Sequence, residues 1–78
     1  MNIKISTGFY VNRVFTQFEE EPVWHGTLDG YIQELLDVEQ NGDLGISMTE
    51  NELRSSLQDT GVAEFCGGGH AAFKAELV

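Results

Sequence analysis

The hydrophobic pattern of this 78-residue chain changes period twice, and that change constrains the fold more than any single motif. Near the N-terminus Ile3 and Ile5 alternate with Lys4 and Ser6, and Phe9, Tyr10, Val11, Val14, Phe15 and Phe18 follow with few breakers. Such a pattern over residues 2–18 predicts β structure, with Gly8 as a bulge or as the turn between two short strands. Glu19-Glu20-Glu21-Pro22 closes the region, because like charges repel and Pro22 has no N–H to give a ladder. Val23 and Trp24 are expected as a short edge strand.

The period then lengthens. Leu28, Tyr31, Ile32, Leu35, Leu36 and Val38 recur at three- and four-residue spacing, which predicts a helix with these side chains on one face. Thr27 is its expected N-cap, and Asp29 in the first turn suits the helix dipole. Asp29, Gln33, Glu34, Asp37 and Gln40 occupy the opposite arc. Glu39 falls inside the apolar arc, where the helix is expected to end, with Asn41-Gly42 as the stop. A shorter helix fits residues 49–60. Thr49 and Glu52 have capping-box spacing, Glu50 and Arg54 can pair at i,i+4, and Gly61 suits the C-terminal cap. Its buried stripe is slim, essentially Leu53 and Leu57.

Strand patterning returns at the end. Residues 62–66 and 71–77 flank Gly67-Gly68-Gly69, a turn where positive φ costs little. Phe73, Ala75 and Leu77 alternate with Ala72, Lys74 and Glu76, as in a strand covered on one face. The order predicts a single α+β domain over residues 1–78. N- and C-terminal strands would build a small antiparallel sheet with two helices between them.

Charge bounds the partners. Thirteen acidic side chains against four basic ones give a net charge of −9. A field of that sign repels nucleic acid and anionic membrane and attracts basic protein surfaces. The apolar share of 41% is that of a folded domain rather than an acidic tail. Cys66 has no second cysteine to pair with. The N-terminus has no signal-peptide pattern and no segment has the length to span a membrane, so a soluble cytoplasmic domain is expected; a monomer is expected too, though no residue pattern sets the oligomeric state.

Four features are candidates for chemistry. On the longer helix Glu34 and Asp37 sit three residues apart, about 5–6 Å between neighbouring side chains. That spacing is comparable to the phosphates along one DNA strand. With Asp29, with Glu19, Glu20 and Glu21, and with the acids from Asp43 to Glu52, it can present a face that imitates a duplex; the bland alternative is charge that keeps the protein soluble. Between the helices, residues 39–50 place oxygens at positions 1, 3, 5 and 12 of a calcium-loop register, but Leu44 stands where a glycine is needed. Starting the frame at Asp37 restores Gly42 and puts Met48 in place of the bidentate glutamate. Cys66 and His70 flank the triple glycine, with His25 the only other histidine, too few ligands for a structural zinc; a hairpin turn preceded by a buried cysteine is the simpler reading. Trp24 is either a core residue or an aromatic anchor beside the glutamates. Phe9, Tyr10, Phe15, Phe18, Phe65 and Phe73 are expected in the core or on a sheet face.

In size, acidity and α+β patterning the whole chain resembles the small acidic anti-CRISPR proteins that phages and mobile elements encode, several of which act as DNA mimics. The resemblance rests on general character, since that group shares no motif. It implies a non-enzymatic inhibitor, without cofactor or metal, acting in the host bacterial cytoplasm. Such an inhibitor occupies the basic DNA-binding groove of a CRISPR effector complex and does not itself bind nucleic acid. On that reading Glu19, Glu20, Glu21, Asp29, Glu34, Asp37 and Glu52 are the partner-binding residues, each pairing with Lys or Arg. Two other classes remain open: a small acidic adaptor or antitoxin-like module, and a single-site calcium-binding domain.

Overall fold

The computed structural model describes residues 1–39, 42–67 and 71–78. Among these residues the elements run β1 (Asn2–Val11), β2 (Val14–Gln17), β3 (Trp24–Thr27), α1 (Leu28–Glu39), α2 (Glu50–Thr60), β4 (Val62–Cys66) and β5 (Ala72–Leu77). The strands form one antiparallel sheet in the order β2-β1-β5-β4, with β3 also paired to β1. The chain is therefore an α+β fold, with N- and C-terminal strands β1 and β5 side by side and two helices between them in sequence.

β2 and β3 share one edge of β1. The first half of β1 pairs with β3, from Asn2↔Thr27 to Ile5↔Trp24, and the second half with β2, from Gly8↔Gln17 to Val11↔Val14. Asn12 and Arg13 join β1 to β2 with φ of 51° and 68°. Two left-handed residues match the twist of a tight hairpin. Asn adopts that region readily; Arg13 is held there by the pairing on either side.

Gly8 is neither the bulge nor the turn that its sequence context suggested. It lies inside β1 with unbroken pairing to β2 and β5. A Cβ added there would run into the carbonyl of Thr16, so the glycine is what lets the backbone of β2 lie this close to β1. Gly8→Ala should splay the hairpin and cost on the order of 1–3 kcal/mol. Loss of the Phe9 and Thr16 cross-strand amide contacts in NMR spectra, with a lower denaturation midpoint, would show it.

Both helices lie on one face of the sheet. Ile3 and Ile5 of β1, Ala63 and Phe65 of β4 and Ala75 of β5 point into them and are fully or almost fully buried. α1 contributes Leu28, Tyr31 and Ile32; α2 contributes Leu53 and Leu57. Trp24 packs against this core, half-buried, with its ring 5.0 Å from Tyr31. Val38 departs from the expected apolar face and is 77% exposed, because it sits at the margin of the arc in the last turn of α1. The expected stop at Asn41-Gly42 lies partly outside the described residues; Gly42 has φ of 81°.

The local chemistry of α2 is as its sequence suggests. Thr49 Oγ1 accepts the Glu52 N–H at 3.2 Å, and Glu52 Oε1 accepts the Thr49 N–H at 3.1 Å, closing the capping box. Gly61 takes φ of 79° and donates its N–H to Leu57 at 2.9 Å.

The free edge of β4 is covered at both ends from within the chain. Leu77 N–H donates to Gly61 O at 3.0 Å, a register that turns the backbone of Val62, Glu64 and Cys66 outward. The Val62 carbonyl accepts from Ser56 Oγ at 2.8 Å and Thr60 Oγ1 at 3.0 Å. Ser47 engages both backbone groups of Cys66: its Oγ accepts the Cys66 N–H at 2.9 Å and its backbone N–H donates to the Cys66 carbonyl at 2.8 Å. Three side chains thus blunt an edge that would otherwise template pairing with another strand. The thiol of Cys66 is exposed, which corrects the expectation of a buried cysteine. Gly68, Gly69 and His70, the rest of the expected glycine turn and its histidine, lie outside the described residues.

Candidate functional site

The helical layer gathers charge of one sign. α1 carries Asp29, Glu34, Asp37 and Glu39, and α2 carries Glu50, Glu52 and Asp59, with Arg54 as the one cation on either helix. All seven carboxylates are exposed. The amphipathic pattern accounts for Asp29, Glu34, Asp37, Glu52 and Asp59, which lie off the apolar stripe of their helix; Glu39 and Glu50 fall within the apolar arc and are exposed at the last turn of α1 and the first turn of α2. The lysines lie elsewhere: Lys4 and Lys74 are on the opposite face of the sheet, across from Glu76 and Glu64 in register. Glu64 also accepts the Tyr10 hydroxyl at 2.9 Å, and Lys74 Nζ sits 5.9 Å from the centre of the Phe15 ring. One face is thus mixed in sign and the other strongly negative.

Arg54 divides the acids of the helical face into engaged and free. Its Nη2 donates to Asp29 Oδ1 at 2.6 Å and its Nε to Glu50 Oε2 at 3.1 Å, tying the two helices together. The hydrogen bond from Arg54, with its charge, holds the Asp29 carboxyl below the ordinary aspartate value. Asp29 is thus locally neutralised, unlike Glu34. Arg54→Gln should raise the Asp29 pKa back toward the ordinary range, measured by carboxyl NMR titration. A folded-state pKa below the unfolded one contributes stability above the unfolded value and loses it as pH falls through the folded one. The Arg54 tie should therefore matter at neutral pH and vanish in acid. The contribution is small because both groups contact water.

The remaining candidates separate in space. Glu34 makes no hydrogen bond or ion pair among the described residues, and its charge adds to burial in pushing the Tyr31 hydroxyl up to about 12. Asp37 Oδ1 accepts Gln33 Nε2 at 3.0 Å. Glu52 is exposed, although one oxygen serves the capping box. Glu19, Glu20 and Glu21 are not on the helices. They form a short excursion between β2 and β3, pinned where Phe18 N–H donates to Thr7 O at 3.0 Å and Val23 N–H to Ile5 O at 2.8 Å. Because Thr7 and Ile5 are two residues apart on one strand, the excursion is held closely at its base.

Sequence reasoning left out Asp59, which lies two turns from Glu52 on the same side of α2, and missed that Arg54 neutralises Asp29. The first was visible as helical spacing; the second joins residues 25 positions apart and had no local signal. The calcium register meets two structural facts. Leu44, at the glycine position of the first frame, is buried in the core, and Glu50, at its twelfth position, pairs with Arg54. Asn41 of that register lies outside the described residues. Among the described residues no group of three or more His, Cys, Asp or Glu is placed to hold a metal ion, and no helix is long and apolar enough to cross a membrane.

Comparison of the chain with protein-family models, with curated proteins and with solved structures finds no match.

Proposed function

We propose that this chain is a non-enzymatic binder whose acidic helical layer occupies the basic DNA-binding surface of a protein, in the manner of an anti-CRISPR DNA mimic acting on an effector complex in the bacterial cytoplasm. The observation that carries this reading is the partition of charge: seven exposed carboxylates and a single arginine on the helices, with Lys4 and Lys74 on the far side of the sheet. Glu34 and Asp37, with Glu52 and the outer oxygen of Asp29, act as phosphate surrogates toward Lys and Arg of the partner. Glu19, Glu20 and Glu21 form a second patch at the sheet edge.

The test is retention of partners from bacterial lysate on the immobilised protein, with and without excess duplex DNA. Capture of nucleic-acid-binding proteins that DNA displaces supports the proposal. A captured partner that DNA does not displace points to the adaptor reading, which the exposed apolar side chains of the β1–β2 hairpin favour. Retention of nothing would reduce the acidic face to a solubilising one.

A further inference from the structure

We propose that the β1–β2 hairpin, together with the glutamates that follow it, is a docking knob for a basic protein surface that carries an apolar recess. Directly opposed residues of an antiparallel pair share a face, so Val14 lies beside Val11, and Phe18, which bonds to Thr7, lies beside Phe9. These four side chains occupy the same sheet face as Ile3 and Ile5, by alternation along β1. The helices bury Ile3 and Ile5 but leave the hairpin uncovered. Val14 is 65% and Phe18 61% exposed, and Phe9 and Val11 are also exposed. The Phe9 and Phe18 rings lie 5.3 Å apart at 33°, a continuous aromatic surface rather than scattered apolar residues. Contiguous apolar surface of this kind marks an interaction site.

Charge selects the occupant. The exposed triad Glu19, Glu20 and Glu21 begins at the residue after Phe18 and is pinned to β1 next to the patch. Docking two copies through this face would bring two such triads together on bodies of net charge −9. An anionic membrane meets the same repulsion. A protein surface with Lys or Arg around an apolar recess satisfies both parts: aromatic anchors in the centre and ion pairs at the rim. The knob is separate from the helical face, and its role does not rest on the DNA-mimic reading.

The experiment is an NMR titration of the isotope-labelled protein with two synthetic peptides of equal positive charge, one an amphipathic Leu/Lys sequence and the other Lys/Gly. The Leu/Lys peptide should shift the amides of Phe9, Val11, Val14, Phe18 and the three glutamates, and bind at least about tenfold more tightly than the Lys/Gly peptide. Phe9→Ser/Phe18→Ser should remove that advantage, and Glu34→Lys/Asp37→Lys should leave it intact. Should the double Ser variant lose its folded spectrum, Val14→Ser serves in its place. Shifts confined to the helices, or equal binding of both peptides, would overturn the proposal. So would hairpin shifts that grow with protein concentration alone, which would assign the patch to self-association.

Discussion

Leu53→Ala, and Leu57→Ala equally, should leave the chain largely unfolded at 37 °C or close to it. These two side chains are the entire fully buried contribution of α2, each at 0% exposure. Truncating a buried leucine costs about 2–5 kcal/mol, from the lost transfer free energy and the cavity left behind. A domain this small buries only a little over about 60% of its unfolded surface, so its stability sits toward the low end of the usual 5–15 kcal/mol. One leucine is then a large part of the total. The capping box and the Gly61 cap fix where α2 begins and ends, but an isolated helix of this length is marginal in water without tertiary contact. The effect should also spread: Leu53 and Leu57 share the core with Phe65 and Ala63, and releasing α2 frees Ser56 and Thr60 from the β4 edge. Urea denaturation followed by circular dichroism measures the loss. Exposed Ser55→Ala on the same helix should stay within about 0.5 kcal/mol of the parent.

The second large effect is on binding. Glu34→Lys/Asp37→Lys changes the local charge by four, at two exposed positions on the solvent side of α1. If each carboxylate faces a Lys or Arg, reversal replaces attraction with repulsion and leaves the partner's cations unpaired. Desolvated charge pairs of this kind cost 2–5 kcal/mol when one partner is lost, so affinity should fall by on the order of a hundredfold or more. Fold stability should change little, since among the described residues neither carboxylate makes an ion pair and Asp37 gives up only its exposed hydrogen bond from Gln33. An unchanged circular dichroism spectrum and melting curve would separate loss of contact from loss of fold. Reversing Asp29 is the less informative variant, because it also breaks the Arg54 tie between the helices.

How much of this was legible in the sequence depended on how local the cause was. The α2 capping box, its Glu50–Arg54 pair and its Gly61 cap lie within a few residues of one another, and their chemistry decides the local conformation. The β period at both ends correctly put N- and C-terminal strands into one antiparallel sheet of an α+β fold; that β1 and β5 are neighbours in it rests on long-range pairing with no local signal. The hairpin turn was harder, since Arg13 has no intrinsic preference for positive φ and is set there by the pairing of Val11 with Val14. Gly8 carried a misleading signal: glycine in a strand commonly marks a bulge, whereas here it admits the close backbone of the neighbouring strand, which no local rule reveals. Leu44 plugs the core from a loop that resembled a broken calcium site, and only packing shows why a leucine stands there. For the acidic residues, sequence gave the charge but not the partition. The face that α1 and α2 share depends on their common packing against the sheet, and the Asp29–Arg54 tie crosses from one helix to the other. The exposed aromatics of the hairpin were expected in the core or on a sheet face; that the helices stop short of them follows from helix placement alone.

The central claim is that the acidic helical face and duplex DNA compete for one basic groove. Its most direct test is a binding titration of the protein against a captured, purified nucleic-acid-binding partner at several fixed concentrations of duplex DNA. The apparent Kd should rise linearly with DNA concentration, with no ternary complex, and Glu34→Lys/Asp37→Lys should bind too weakly to compete. An apparent Kd that does not change with DNA, or a stable complex holding protein, partner and duplex together, would contradict it.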